Sequence, residues 1–219
     1  MFNFFKKKGI ERPKATYKFE WHDIGEGNPF NKRILDCRDF TQNNLATTGD
    51  KSIVETYTRL RRSDGKEYVT QEFKNKITIE TALKYPPTGS QLTNLVFKAK
   101  SFDEKWDIYI HDSCFYFVRS WTGELVYKAF GSVDSNNVTI YKLELEDNSL
   151  VDKSIAVSHV HFLVSTQILK GIIPHRVPSN LKTDMEIALY SFSQFGNKCW
   201  YATYDDILDV VIKNKGGQT

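Results

Sequence analysis

Three groups of residues in this chain have the types and spacing to do chemistry. His111, Asp112, Ser113 and Cys114 put an imidazole within three positions of a thiol, the pairing a cysteine nucleophile needs. His159 and His161 could ligate a metal. Arg119, Ser120, Trp121 and Thr122 end an apolar run, FYFVRSWTG (115–123), with a cation, a hydroxyl and an indole. That third combination suits a planar or anionic ligand, which a guanidinium can pair and an aromatic face can stack.

The first two groups fail on geometry. A nucleophile needs a base in reach and an oxyanion site facing it, and a hairpin turn offers neither a helix N-terminus nor a pocket. Histidines two apart on a helix diverge by about 200°. Metal-binding helices space their ligands at i and i+4, as in H-E-x-x-H, which is absent, as are phosphate-loop, dinucleotide and zinc signatures. No catalytic residue, metal or cofactor is therefore assigned. His175, between Pro174 and Pro178, reads as a connector residue, and Asp36 with Arg38 in ILDCRDF reads as a surface ion pair. Asp205 and Asp206 read as charges complementing a helix N-terminus.

The third group survives as a ligand- or partner-binding candidate: Arg119, Ser120, Trp121 and Thr122, with His111 as an additional member. The competing reading closes a hairpin, with Arg119 stacking on Trp121 or pairing with Glu124 or Asp107. The segment YFVRSWTGELVY (116–127) resembles one found in uncharacterised bacterial proteins carrying an F-R-S-W-T-G signature. The resemblance covers about a dozen residues and has no activity attached to it. It implies a shared purpose for Arg119 to Gly123 without naming the chemistry.

The elements that must position these residues are set by periodicity. LTNLVFKAK (92–100), WDIYIH (106–111), CFYFVRS (114–120), ELVYKAF (124–130) and NVTIYKLELE (137–146) alternate and are separated by short polar breaks, so they predict an antiparallel meander. Alternation along 115–121 places Phe115, Phe117, Arg119 and Trp121 on one face, and the meander is expected to have one buried and one partly wet face. SIAVSHVHFLVSTQILKG (154–171) changes to helical spacing, with Asp152 or Ser154 as its cap and Gly171 at its end. After it come a short helix near Met185 to Phe192, a strand over 197–204 and a final helix over 205–215. Residues 52–62 and 66–73 flank Ser63-Asp64-Gly65 and read as a hairpin. A helix capped at Asp50 competes there, because Ile53, Tyr57 and Leu60 share helical spacing. The fold class is α+β, an antiparallel β-meander with helices packed on one side.

Composition bounds the rest. The chain has 219 residues, 40% hydrophobic, 26% charged and 14% aromatic, an ordinary globular balance rich in sheet formers. Residues 1–15 carry five basic residues against Glu11, a net +4 out of a total of +3, so the remainder is −1. A basic flexible tail on a neutral body argues against nucleic acid as a partner. One domain is expected over 16–215, with a sub-boundary near 86–90 and a loose end at 216–219. Three separated cysteines fit free thiols in a reducing compartment, and MFNFFKKKG lacks the order of a secretory signal, so the expected location is the cytoplasm. No stable membrane association is expected. The reading that leads is a non-enzymatic interaction or regulatory protein, adaptor- or immunity-like, with a protein partner. The alternative is a small-molecule or nucleotide-binding domain, with enzymatic activity left open, at Arg119 and Trp121.

Overall fold

The computed structural model describes residues 16–87, 94–134, 137–147 and 152–212. The basic tail, the end of the final helix expected over 205–215 and the terminal GGQT lie outside them.

The large sheet has six strands in the order β3-β8-β7-β6-β5-β4, antiparallel throughout. These are β3 (Lys76–Tyr85), β4 (Leu95–Phe97), β5 (Trp106–His111), β6 (Cys114–Arg119), β7 (Leu125–Val133) and β8 (Val138–Glu146). The meander read from the sequence is thus β4 to β8, with β4 shorter than expected. Asp112 and Ser113 make the β5–β6 turn with left-handed backbone, φ 48° and 62°, the geometry that matches strand twist in a two-residue hairpin.

A smaller sheet joins the two ends of the described chain. Its strands are β1 (Glu20–His22), β2 (Ile34–Asp36), β9 (His175–Arg176) and β10 (Tyr201–Thr203), in the order β1-β2-β10-β9. The β9–β10 pair is parallel and the other two are antiparallel.

Helix α3 (Lys153–Leu163) starts at Asp152, whose carboxylate accepts the Ser154 amide at 2.8 Å. It widens into a π-turn over Val164–Ile168. Lys170, not Gly171, takes the positive φ at its end, and the Gly171 amide donates to the Ser165 carbonyl. Val160, Leu163 and Val164 pack on the sheet face that presents Trp106, Ile108, Phe115 and Phe117. Helix α4 (Asp184–Phe195) begins with a Thr183–Glu186 capping box, which satisfies two N-terminal amides reciprocally. It joins the two cores: Ile187, Ala188 and Phe192 pack against the small sheet, while Phe195 enters the main core. The short α1 (Arg38–Asn43) contributes Phe40 to the smaller core.

Two expectations about residues 51–73 and the sheet face they meet are corrected. Residues 51–60 form helix α2 (Lys51–Leu60), capped by Asp50 accepting the Ser52 amide at 2.8 Å, and Lys66–Tyr68 is a 3-10 turn, not a strand. The helical spacing of Ile53, Tyr57 and Leu60 outweighs the β-prone side chains between them. The second arises from the first: the other face of the meander is covered over β5 and β6, while over β3 and β8 it stays partly wet as expected, with Lys76, Thr78 and Glu80 exposed. Tyr68 covers Tyr109, Cys114, Tyr116 and Val118, all buried. Arg61 stands just after α2 and donates to both oxygens of Asp107, which is fully buried on that face and also accepts the Ala99 amide. Lys98 donates to the Leu60 and Ser63 carbonyls and the Tyr109 hydroxyl, so a cation occupies the negative end of α2.

The strand expected over 197–204 is confined to β10. Residues 205–210 form turns, not a helix. Asp206 accepts the Leu208 amide at 3.1 Å in a local turn, so neither Asp205 nor Asp206 complements a helix N-terminus. Among the described residues, no helix is long and apolar enough to cross a membrane.

Candidate functional site

The end of β6 and the turn after it form the candidate site. The Arg119 amide donates to the Glu124 carbonyl and the Gly123 amide donates back to the Arg119 carbonyl. Gly123 takes φ 71°, which costs little only without a Cβ. This turn anchors to the segment before β5: the Ser120 amide donates to the Lys105 carbonyl, the Ser120 hydroxyl to the Glu104 carbonyl at 2.7 Å, and the Trp121 indole N–H to the Phe102 carbonyl at 2.9 Å. Ser120 is fully buried. Its hydroxyl holds the turn and is not presented to a ligand.

Arg119 makes neither of the interactions that would merely close the hairpin. Its guanidinium lies over the Trp106 ring, 4.6 Å from the centroid. Nη1 donates to the Gln194 carbonyl at 2.9 Å and Nη2 to the Gln194 side-chain oxygen at 3.1 Å. Trp106 Nε1 donates to the same carbonyl at 2.6 Å. Arg119 therefore clamps the C-terminal end of α4, where unpaired carbonyls and the helix dipole favour a cation. Asp107, one of its expected partners, is taken by Arg61. Replacing Arg119 by Met is expected to cost about 2 kcal/mol, because the charge-assisted hydrogen bonds and the cation–π stacking disappear together. Thermal denaturation checks this, and an unchanged melting temperature would show that the clamp is idle.

The stacking partner of Trp121 is Lys105, a residue that sequence reasoning missed. Lys105 Nζ stands 4.3 Å from the Trp121 ring centroid and 4.9 Å from that of Phe192, and donates to the Phe102 carbonyl at 2.8 Å. Burial lowers its pKa to about 8, with nearby Asp103 opposing the shift and Arg119 adding to it. Neither Lys105 nor Arg119 forms a salt bridge with a carboxylate among the described residues. Both line a cleft of about 250 Å³ with Trp121, Thr122, Glu124 and Ser193. Thr122 accepts the Glu124 amide at 3.3 Å. No sequence pattern distinguishes Lys105. It becomes visible only once Trp106 is found opposite Arg119 across the β5–β6 ladder.

His111 does not join them. It pairs with Cys114 at the other end of β5, about 17 Å along the strand from Trp106. Its Nε2 is 2.8 Å from the Asp64 carbonyl, so it fixes the loop after α2. Cys114 is buried, which pushes its thiol up to about 11. That opposes a thiolate nucleophile. Of the other histidines, His159 and His175 are buried, and His22 and His161 are half-buried. His159 lies between the Tyr127 hydroxyl (3.1 Å) and the Tyr190 hydroxyl (2.9 Å), His161 meets the Tyr85 hydroxyl at 3.2 Å, and His175 meets Ser191 at 2.8 Å. Asp36 and Arg38 form the expected ion pair at 2.6 Å. Among the described residues, no group of three or more His, Cys, Asp or Glu could hold a metal ion.

Beyond the cleft, and sharing Glu124 with it, opens a cavity of about 510 Å³. It lies where β7 and β8 part, their ladder beginning only at Lys128 and Glu144. The start of α3, the connector after β9 and Tyr190 of α4 complete its wall.

Compared with protein-family models, curated proteins and solved structures, the chain matches none.

Proposed function

We propose that this is a non-enzymatic binding protein that holds a small organic anion in the cleft between Lys105, Arg119 and Trp121. The observation that carries the reading is the pair of cations. Both are packed on aromatic rings, both have N–H donors left over, and neither forms a salt bridge among the described residues. A desolvated cation without a counterion is unfavourable until an anion arrives. A concave site with a few converging polar groups suits a small ligand better than a flat protein surface. The protonation state of Lys105 gives the reading a direction. A lysine titrating near pH 8 is charged below that value and neutral above it. Anion affinity is therefore expected to fall as pH rises from 7 to 9, and Lys105→Met is expected to weaken binding about tenfold or more while removing that pH dependence. Calorimetric titration with phosphate and with simple carboxylates reads both effects. Undiminished anion binding by folded Lys105→Met protein would refute the assignment.

An adaptor- or immunity-like protein engaging a protein partner is the second reading. It draws on Met185 and Leu189, one turn apart on α4 and exposed by 39% and 51%. Three buried free thiols support a reducing, cytoplasmic setting, and the bacterial assignment rests on the F-R-S-W-T-G resemblance. The neutral body disfavours nucleic acid as the ligand.

A further inference from the structure

Resting on the anion-site reading, we infer that the ligand is a zwitterion of the amino-acid class, bound with its carboxylate at Lys105 and Arg119, its ammonium at Glu124 and a bulky apolar side chain in the 510 Å³ cavity. Glu124 lines both the cleft and the cavity. It is exposed, and its carboxylate makes no hydrogen bond or salt bridge among the described residues. The other acids on the cavity wall are committed: Glu146 accepts the Lys74 and Asn75 amides, and Asp152 caps α3. One free acceptor thus stands at the boundary of two spaces, with two cations on one side of it. Glu124 is the residue the two linings share, Arg119 lining the cleft and Tyr127 and Tyr190 the cavity. An anion alone would satisfy the cations but would set its charge beside Glu124. A ligand carrying an ammonium and a carboxylate on one carbon satisfies all three groups.

The cavity accommodates the remainder of such a ligand. Tyr127 and Tyr190 line it, yet both hydroxyls are bound to His159, so they offer the ligand ring surface more than hydrogen bonds. Leu125, Ile155 and Ala156 add apolar wall. A volume of about 510 Å³ has room for an aromatic or large aliphatic side chain, the common lining of small-molecule sites being apolar with few oriented polar groups.

Calorimetric titration with L-phenylalanine, L-phenylalaninamide, 3-phenylpropionate, glycine and inorganic phosphate tests this. Phenylalanine is expected to bind, with the amide and the phenylpropionate each weaker by about tenfold or more because one charge partner is left unpaired. Glu124→Gln is expected to weaken phenylalanine by about tenfold and to leave phenylpropionate within about twofold. Ser179→Trp, which narrows the cavity rim, is expected to weaken phenylalanine more than glycine. Circular dichroism confirms that each variant is folded. Equal binding of phenylalanine and phenylpropionate, or indifference of phenylalanine to Glu124→Gln, would overturn the zwitterion while leaving the anion site standing. Failure of every probe, phosphate included, would overturn both.

Discussion

Gly196→Ala is expected to destabilise the fold by about 4 kcal/mol or more, lowering the melting temperature by about 10 °C. Gly196 ends α4 with φ 64° and ψ −142°, a region that side chains other than hydrogen rarely enter. A Cβ there would lie 1.7 Å from the Asp103 carbonyl oxygen and 3.3 Å from Lys105 Cγ. The obstacle is backbone, and that backbone is held: the same carbonyl accepts the Asn197 amide at 3.0 Å, and the Asp103 carboxylate accepts the Ala46 amide at 2.6 Å. Relief would require moving the Asp103–Lys105 segment away from the end of α4. That segment carries Lys105, and α4 ends on the carbonyl that Arg119 and Trp106 share. The substitution is thus expected to damage the cleft as well as the fold, so that residual folded protein binds anions more weakly. Thermal denaturation and anion titration of the variant measure the two effects. A loss of only about 1 kcal/mol would mean that the Asp103 carbonyl yields freely.

How much of this was legible in the residues depended on the range of the interaction that decides each element. The meander β5 to β8 was legible because alternation is local and the polar breaks are short. Helix α3 was legible from its spacing and from Asp152. Helix α2 reads ambiguously because the Ile53, Tyr57 and Leu60 stripe is interleaved with the β-prone Val54, Thr56 and Thr58. The Asp50 cap and the stripe favour the helix locally, and Arg61 finding Asp107 and Lys98 finding the Leu60 carbonyl fix it in place. Those same interactions cover the β5–β6 part of the second sheet face, which alternation alone leaves looking wet. Arg119 and Trp121 stand out in the sequence, but their partners lie on α4 and on the loop before β5. Lys105 carried no local signal at all.

Acidification from pH 7 to pH 5 is expected to remove about 4 kcal/mol of folding stability, roughly 2 kcal/mol from each of two buried histidines. His159 and His175 are pushed down to about 3, both by burial first. For His159 the neighbouring His175 and Arg119 lower it further, while for His175 the Arg176 carbonyl opposes the shift. The sign comes from proton counting. Between pH 3 and pH 6.5 the unfolded chain binds protons at these rings and the folded chain does not, so each step down in pH favours unfolding. Carboxylates with lowered pKa values, such as Asp36 and Asp152, contribute stability above their unfolded value near 4 and lose it below, so they act later in the titration. The loss above pH 5 therefore reports on the histidines. The structure gives the cause for His159 directly: a neutral ring can donate to one tyrosine and accept from the other, whereas a protonated ring would bring a charge into a site that already faces Arg119. His159→Gln retains one donor and one acceptor without titrating. It is expected to fold with some loss of stability and to show a clearly smaller pH dependence between 7 and 5 in urea denaturation, His175 and His161 supplying the remainder. Stability that is flat over that range in the unsubstituted protein would mean that water reaches both rings.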